Sequence, residues 1–254
     1  MGLARQARSG LLAALDLALP AECAGCGLLP GLLCRRCGLA LAEPARPAWP
    51  QPSPPGLPPP WAVADYDGAV RAALLAHKEQ GRAALARPLG AALATAVRAA
   101  LAAAPPDGQS AGGGVVLVPM PSRRGAVRER GRDPTLAIAR AAARSLRAEG
   151  RDVSVRPVLR MAGSVQDQSG LDAHARAANL QGAVLMADRP GVALARQCNR
   201  HGTRVVLVDD IVTTGASLAA AAATLRGSGI DVVGAALVAA TRRRTTPGLL
   251  PVIG

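Results

Sequence analysis

The chain of 254 residues contains no phenylalanine, one tyrosine and a single lysine, Lys78. Its basic character therefore rests on arginine, and alanine is abundant beside these absences. The pattern is that of a coding genome biased toward Ala, Gly, Pro and Arg. The formal net charge of +13 is accordingly weak evidence for a nucleic-acid partner, although basic surfaces do attract phosphate backbones. Uninterrupted apolar runs are short, and none approaches the ~18 residues that span a bilayer. A clean export signal is lacking as well. Arg5 and Arg8 precede an apolar stretch, but Asp16 interrupts it and no small-x-small cleavage site follows. Leu11, Leu12, Leu15 and Leu19 recur at helical spacing, which predicts a short amphipathic helix and a cytoplasmic protein. Histidine is scarce: His77 and His174 stand alone, and Cys198 with His201 has no second pair nearby, so no histidine is assigned to a metal.

What the chain does have is concentrated at Arg204 to Leu218, RVVLVDDIVTTGASL. The unbroken, β-branched run at 205–208 predicts a strand buried on both faces of a parallel sheet. Asp209 and Asp210 then fall at the carboxyl end of a strand, where open α/β sheets bind ligands. Thr213, Thr214, Gly215, Ala216 and Ser217 supply hydroxyls and a permissive backbone at a helix N-terminus, an arrangement that aims N–H groups at an anion. Carboxylates beside a phosphate cradle suit a ribose phosphate. The bland alternative is a strand, turn and cap with no ligand, but a buried strand end gains nothing from two adjacent acids.

Four cysteines form two C-x2-C pairs, Cys23 with Cys26 and Cys34 with Cys37, each pair followed by glycine. Such knuckles place sulfurs at the vertices of the tetrahedral site that structural zinc prefers. Arg35 and Arg36 help to hold thiolates deprotonated. The short connector predicts a tiny, metal-dependent unit; two disulfides or four unrelated thiols are the alternative. Residues 43–60 hold nine of the 21 prolines and predict a stiff spacer of polyproline II character, with docking of a proline-recognition partner as the other reading. The organisation expected is residues 1–43 for the helix and knuckle, 44–60 for the linker, 61–243 for the main domain and 244–254 for a tail.

Within the main domain, helices are expected over 70–78, 83–104, 135–149 and 219–226. Strands are expected over 115–118, 153–159, 205–208 and 231–238. The alternation predicts an α/β fold with a doubly wound parallel sheet. Arg140, Arg144, Arg147 and Arg151 share one face of the third helix, most simply its solvated side.

The VLVDDIVTTGAS run resembles the phosphoribosyl-pyrophosphate (PRPP) motif of type I phosphoribosyltransferases, in order and spacing. The resemblance implies that fold, that Asp209 and Asp210 take the ribose hydroxyls, and that Thr213, Thr214, Gly215, Ala216 and Ser217 hold the 5-phosphate. Three further segments are similar to the competence protein F (ComF) group: Tyr66-Asp67-Gly68 with Lys78 and Gly81-Arg82; Val118-Pro119-Met120-Pro121 with Arg123, Arg124, Arg130 and Gly131; and Gln168-Ser169-Gly170-Leu171 with Arg176, Asn179 and Gly182. By that likeness Pro119, Met120, Pro121, Ser122, Arg123 and Arg124 form a pyrophosphate loop, the two arginines suiting bidentate phosphate contact. Residues 161–182 form a closing loop with Arg160, Gln168, Arg176 and Asn179 as polar candidates, a loose polar loop being the alternative. Mg2+ accompanies PRPP, and Zn2+ fills the knuckle. The chain departs from the group at Arg132, Asp133 and Pro134, which replace Phe, Asn and Gln, and at Glu79-Gln80 after Lys78. No base-selecting hood is recognisable, and no residue is singled out as catalytic.

Three functions remain open: a PRPP-binding protein of DNA uptake or handling, with single-stranded DNA or uptake machinery as partner; a phosphoribosyltransferase of base or amine salvage; or a module that senses PRPP without turnover. Neither the acceptor nor the oligomeric state is legible.

Overall fold

A computed structural model describes residues 22–105, 114–122, 131–162 and 184–241; the expected N-terminal helix at 11–19 lies outside them. The main sheet is built on runs that are apolar on both faces. β3 (Val115–Pro119) is buried at every position, and so are residues 205–208 of β7 (Arg204–Val212). β8 (Val232–Ala240) and β2 (Pro60–Asp65) lie beyond β7, while β4 (Val153–Val155) lies beyond β3. The order is β1-β2-β8-β7-β3-β4, and every pairing is parallel except that of β1 (Arg46–Pro47) with β2.

A short helix, α1 (Arg35–Leu39), lies in the cysteine segment, and longer helices cover both faces of the sheet. On one side α2 (Gly68–Lys78), α3 (Ala86–Ala103) and α4 (Pro134–Ala148) share a core with Val206, Val208 and Leu117. On the other, α5 (Asp188–His201) and α6 (Ala216–Arg226) pack with Val205, Leu207 and Val116. The sheet is therefore doubly wound and mostly parallel. Right-handed crossovers explain the faces: the chain leaves β3 toward β4 through α4 and leaves β7 toward β8 through α6, in opposite directions. The point between β3 and β7 is the topological switch, where ligands settle in such sheets.

Local chemistry sets the ends of these elements. Asp67 caps α2, accepting from the Gly68 N–H at 2.7 Å, and the Lys78 ammonium ends it, favourably for the helix dipole. Asp133 caps α4 by accepting from the Leu136 N–H at 3.0 Å, with Pro134 in the first turn. Alanine lets α3 and α4 approach closely, and a side chain at Gly90 would run into Ala141 and the backbone of Ala142. Overpacking there would cost about 1–3 kcal/mol. The stretch Ala83–Ala103, which opens with a 3-10 turn (Ala83–Leu85), is long and apolar enough to cross a membrane. Here it is a core helix, packed on α4, β8 and β2.

Two readings of the sequence change. The strand expected over 153–159 is two. β4 stops before Pro157, which has no N–H to donate to the ladder, and β5 (Leu159–Met161) pairs antiparallel with β6 (Val184–Met186) in a separate ribbon. The proline-rich stretch is also more than a spacer. Its residues 46–47 form β1, the Ala48 N–H donates to the Pro60 carbonyl at 2.8 Å, and Leu57 is buried in the core beneath α6. The edge is the one place in a sheet that tolerates such a sequence.

Candidate functional site

The strand β7 runs past the two acids to Val212, so Asp209 and Asp210 lie within it. They are nevertheless at a sheet end on one side. β3 pairs with β7 only as far as Pro119 opposite Val208, and the chain then turns away, the Met120 N–H donating to the Val208 carbonyl at 2.9 Å. On the other side β8 accompanies β7 to Val212. The acids thus border the gap that opens where β3 ends, at the switch point.

The pair is tightly held. Asp209 Oδ1 accepts from the Asp210 N–H at 2.8 Å, and Asp210 Oδ1 from the Ile211 N–H at 2.9 Å. Asp210 Oδ2 accepts from Lys78 Nζ at 2.8 Å. Burial holds the Asp209 carboxyl well above the usual carboxylate range, and the Asp210 charge adds to this, against the Asp210 N–H and Lys78. For Lys78, burial opposes the charge but attraction to Asp210 outweighs it and raises the ammonium above its ordinary value. One acid is thus neutralised by an internal cation and the other is disfavoured as an anion until a positive or hydroxyl-bearing ligand meets it.

After Val212, Thr213 and Thr214 are exposed, and Gly215 caps α6 in the left-handed region at φ 74°. A side chain there would be strained by its backbone and would come within 3.0 Å of Leu57 and 3.1 Å of Pro50. Ala216 is the first residue of α6, and its N–H donates to Thr214 Oγ1 at 3.4 Å; the exposed Ser217 follows. The first-turn N–H groups of a helix have no partner within it, so a start of this kind is chemically suited to an anion.

Across the gap, Pro119 ends β3, Met120 is buried, and Ser122 Oγ donates to Asp133 Oδ1 at 3.1 Å. The cap of α4 therefore also anchors the turn expected to face the acids. Arg123 and Arg124 lie outside the described residues, as do Gln168, Arg176 and Asn179; Arg160 is exposed on β5, in register with Leu185.

Lys78 was legible as a motif residue but not as a partner of Asp210. Its signal was its singularity, one lysine in an arginine-rich chain. Beside it His77 is buried, with Nε2 3.2 Å from the Pro134 carbonyl and Nδ1 3.3 Å from the Arg82 carbonyl, and Arg132 donates to its main-chain oxygen. Burial, reinforced by Arg132, keeps this imidazole below its ordinary value against those carbonyls. The histidine ties α2 to the start of α4.

The four cysteines converge, their Sγ atoms all within 4.8 Å of one another. Cys26 and Cys34 are 3.9 Å apart, close to the ~3.8 Å edge of a zinc tetrahedron with bonds of ~2.3 Å. Burial opposes the Cys23 thiolate, but N–H groups of Cys34, Cys26 and Gly25 bring its thiol down to about 6. Burial and the neighbouring sulfurs push Cys37 up to about 12. The donor set fits a zinc ion, and no disulfide joins these residues. The knuckle is seated on the main domain: Ala24 and Leu41 belong to the core of α2 and α3, and Gly25 lies against Ala69.

No curated protein matches the chain. Residues 137–249, a stretch from α4 through β8 that carries both acids and the cradle, match the phosphoribosyl transferase domain and so are similar to that family.

Proposed function

We propose that the chain binds PRPP with Mg2+ at the switch point. Asp209 and Asp210 take the ribose hydroxyls, the segment from Thr213 to Ser217 takes the 5-phosphate, and the segment from Pro119 to Arg124 takes the pyrophosphate. The observation that carries this reading is the adjacency, on one strand end, of two acids and a glycine-capped helix start. Bound there, Mg2+ would neutralise the pyrophosphate and make it a better leaving group. The protein's own part is positioning, charge neutralisation and exclusion of water. Transfer of the phosphoribosyl group to an acceptor is the activity this arrangement serves, and sensing of PRPP without turnover is the alternative.

A finer reading places the chain with the ComF group and gives it a cytoplasmic task in DNA uptake or handling. The cysteine knuckle ahead of the domain supports it, and so does the exposed face of Arg140, Arg144, Arg147 and Arg151 on and after α4. Calorimetry with PRPP and Mg2+ tests the core claim: the Asp209→Ala, Asp210→Ala double variant should stay folded and lose binding. Unchanged affinity would sink the assignment. A titration with single-stranded DNA across a salt series tests the finer reading, which needs affinity that falls steeply with salt.

A further inference from the structure

The start of α6 is weakly braced from within. Gly215 has no side chain to cap it, Thr213 and Thr214 are exposed, and the Ala216 N–H reaches Thr214 Oγ1 at a long 3.4 Å. A glycine at positive φ is also the residue freest to leave that conformation. Yet several N–H groups meet one phosphate well only if they already point the same way, because ordering them on binding costs affinity. The brace comes from another part of the chain.

The place that a Gly215 side chain would take is filled by Leu57 and Pro50, 3.0 and 3.1 Å from where its Cβ would stand. Both belong to the proline-rich stretch. Leu57 anchors it in the core beneath α6, and Pro50 is half-buried against the turn. The same stretch holds the far end of the helix, where Arg226 donates to the Gly56 carbonyl at 3.0 Å. It is fastened to the sheet on either side of these contacts. Before them, β1 pairs with β2 and the Ala48 N–H donates to the Pro60 carbonyl at 2.8 Å. After them, the Pro59 carbonyl accepts from the Ala235 N–H at 2.9 Å. Proline suits such a brace, because its ring fixes φ and leaves little freedom to lose. A cover for the sheet edge alone would need neither the Gly215 nor the Arg226 contact.

Resting on the PRPP reading above, we infer that the proline-rich stretch is a strap that pre-orders the turn from Thr213 to Ser217, with Pro50 as a positioning residue for the 5-phosphate. Pro50 acts through Gly215, whose missing side chain both permits the left-handed turn and admits the strap. Arg226 keeps the strap in register with α6.

The test uses the full chain. Pro50→Gly loosens the strap at a half-buried position and Arg226→Met cuts the far contact at an exposed one; circular dichroism confirms that both fold. Calorimetry follows PRPP with Mg2+, ribose 5-phosphate and inorganic phosphate. Pro50→Gly should weaken each about tenfold, the order set by re-ordering the backbone of one residue. Arg226→Met should weaken them in the same sense, and Arg226→Lys should restore most of the loss. Amide hydrogen exchange supplies the readout that a purely stabilising role would not give. In the ligand-free Pro50→Gly chain the amides of residues 213–217 should exchange faster, while those of β3 and of residues 205–208 keep the parent's rates. Affinity or turn exchange indifferent to Pro50→Gly, or exchange quickened equally through β3 and β7, overturns the inference. Failure of the parent to bind PRPP sinks the earlier reading instead. Inorganic phosphate then decides the strap, Pro50-dependent binding upholding it and unaltered or absent binding overturning it.

Discussion

Lys78 Nζ sits 2.8 Å from Asp210 Oδ2, joining residues 132 positions apart in the chain. The lysine ends α2, and the acid lies on β7 where β3 has turned away. Their contact connects two halves of the molecule. The start of α2 carries the knuckle, through Gly25 against Ala69, and its end holds one of the two acids. The charge of Asp210 is stabilised from within the protein, whereas Asp209 is left with the desolvation and the repulsion.

Replacing Lys78 by Met removes the cation and keeps much of the apolar stem. Asp210 would then be a buried acid without its charged partner, at a cost of about 1–3 kcal/mol. The lower end is favoured because the Lys78 side chain is 37% exposed and screened by water. Urea unfolding is the measurement, and equal midpoints for both proteins would show the ion pair to be idle.

Asp209 gives a pH signature of definite sign. Its folded value is raised, so the stability linked to its protonated form is full below the ordinary 3.8 and is lost as pH rises through the folded value. Asp209→Asn removes this loss. The variant is expected to be more stable than the parent at neutral and mildly alkaline pH, and the difference should vanish toward pH 4. Melting curves from pH 4 to 8 check this. A variant less stable at pH 8 would contradict the assigned burial.

Metal removal should be felt beyond the knuckle. Ala24 and Leu41 pack into the core of α2 and α3, and loosening a buried leucine costs about 1.5–3 kcal/mol. Chelation of a zinc-loaded chain is expected to lower the main unfolding transition by about 5 °C, on a scale of ~2–4 °C per kcal/mol for a domain of this size. Differential scanning calorimetry with and without chelator is the readout. A main transition that does not move would mean that the knuckle folds as an independent unit.

Much of the architecture was legible because its causes are local. An apolar β-branched run predicts a buried strand wherever it lies, and the runs at 115–118 and 205–208 became β3 and β7. The aspartate and proline at 133–134 predicted the start of α4. Other elements lacked a local signal. Two of the six residues of β2 are alanine, a poor strand former, and it is a strand because β8 and β1 flank it. α5 carries Pro190 and Gly191 in its first turns, which hide a helix from propensity although the first turn tolerates proline.

The candidate site divides in the same way. By itself the sequence singled out as candidates Asp209, Asp210, the segment from Thr213 to Ser217 and the four cysteines, because each group is contiguous or closely spaced and its chemistry is written in neighbouring residues. Only the tertiary structure decided that Lys78 neutralises Asp210, that the knuckle leans on α2, and that a proline-rich stretch brings Trp49 beside Thr213. Those contacts join segments far apart in the chain. They form because burial of two apolar sheet faces brings the segments together, and that packing has no periodicity a local reading can detect.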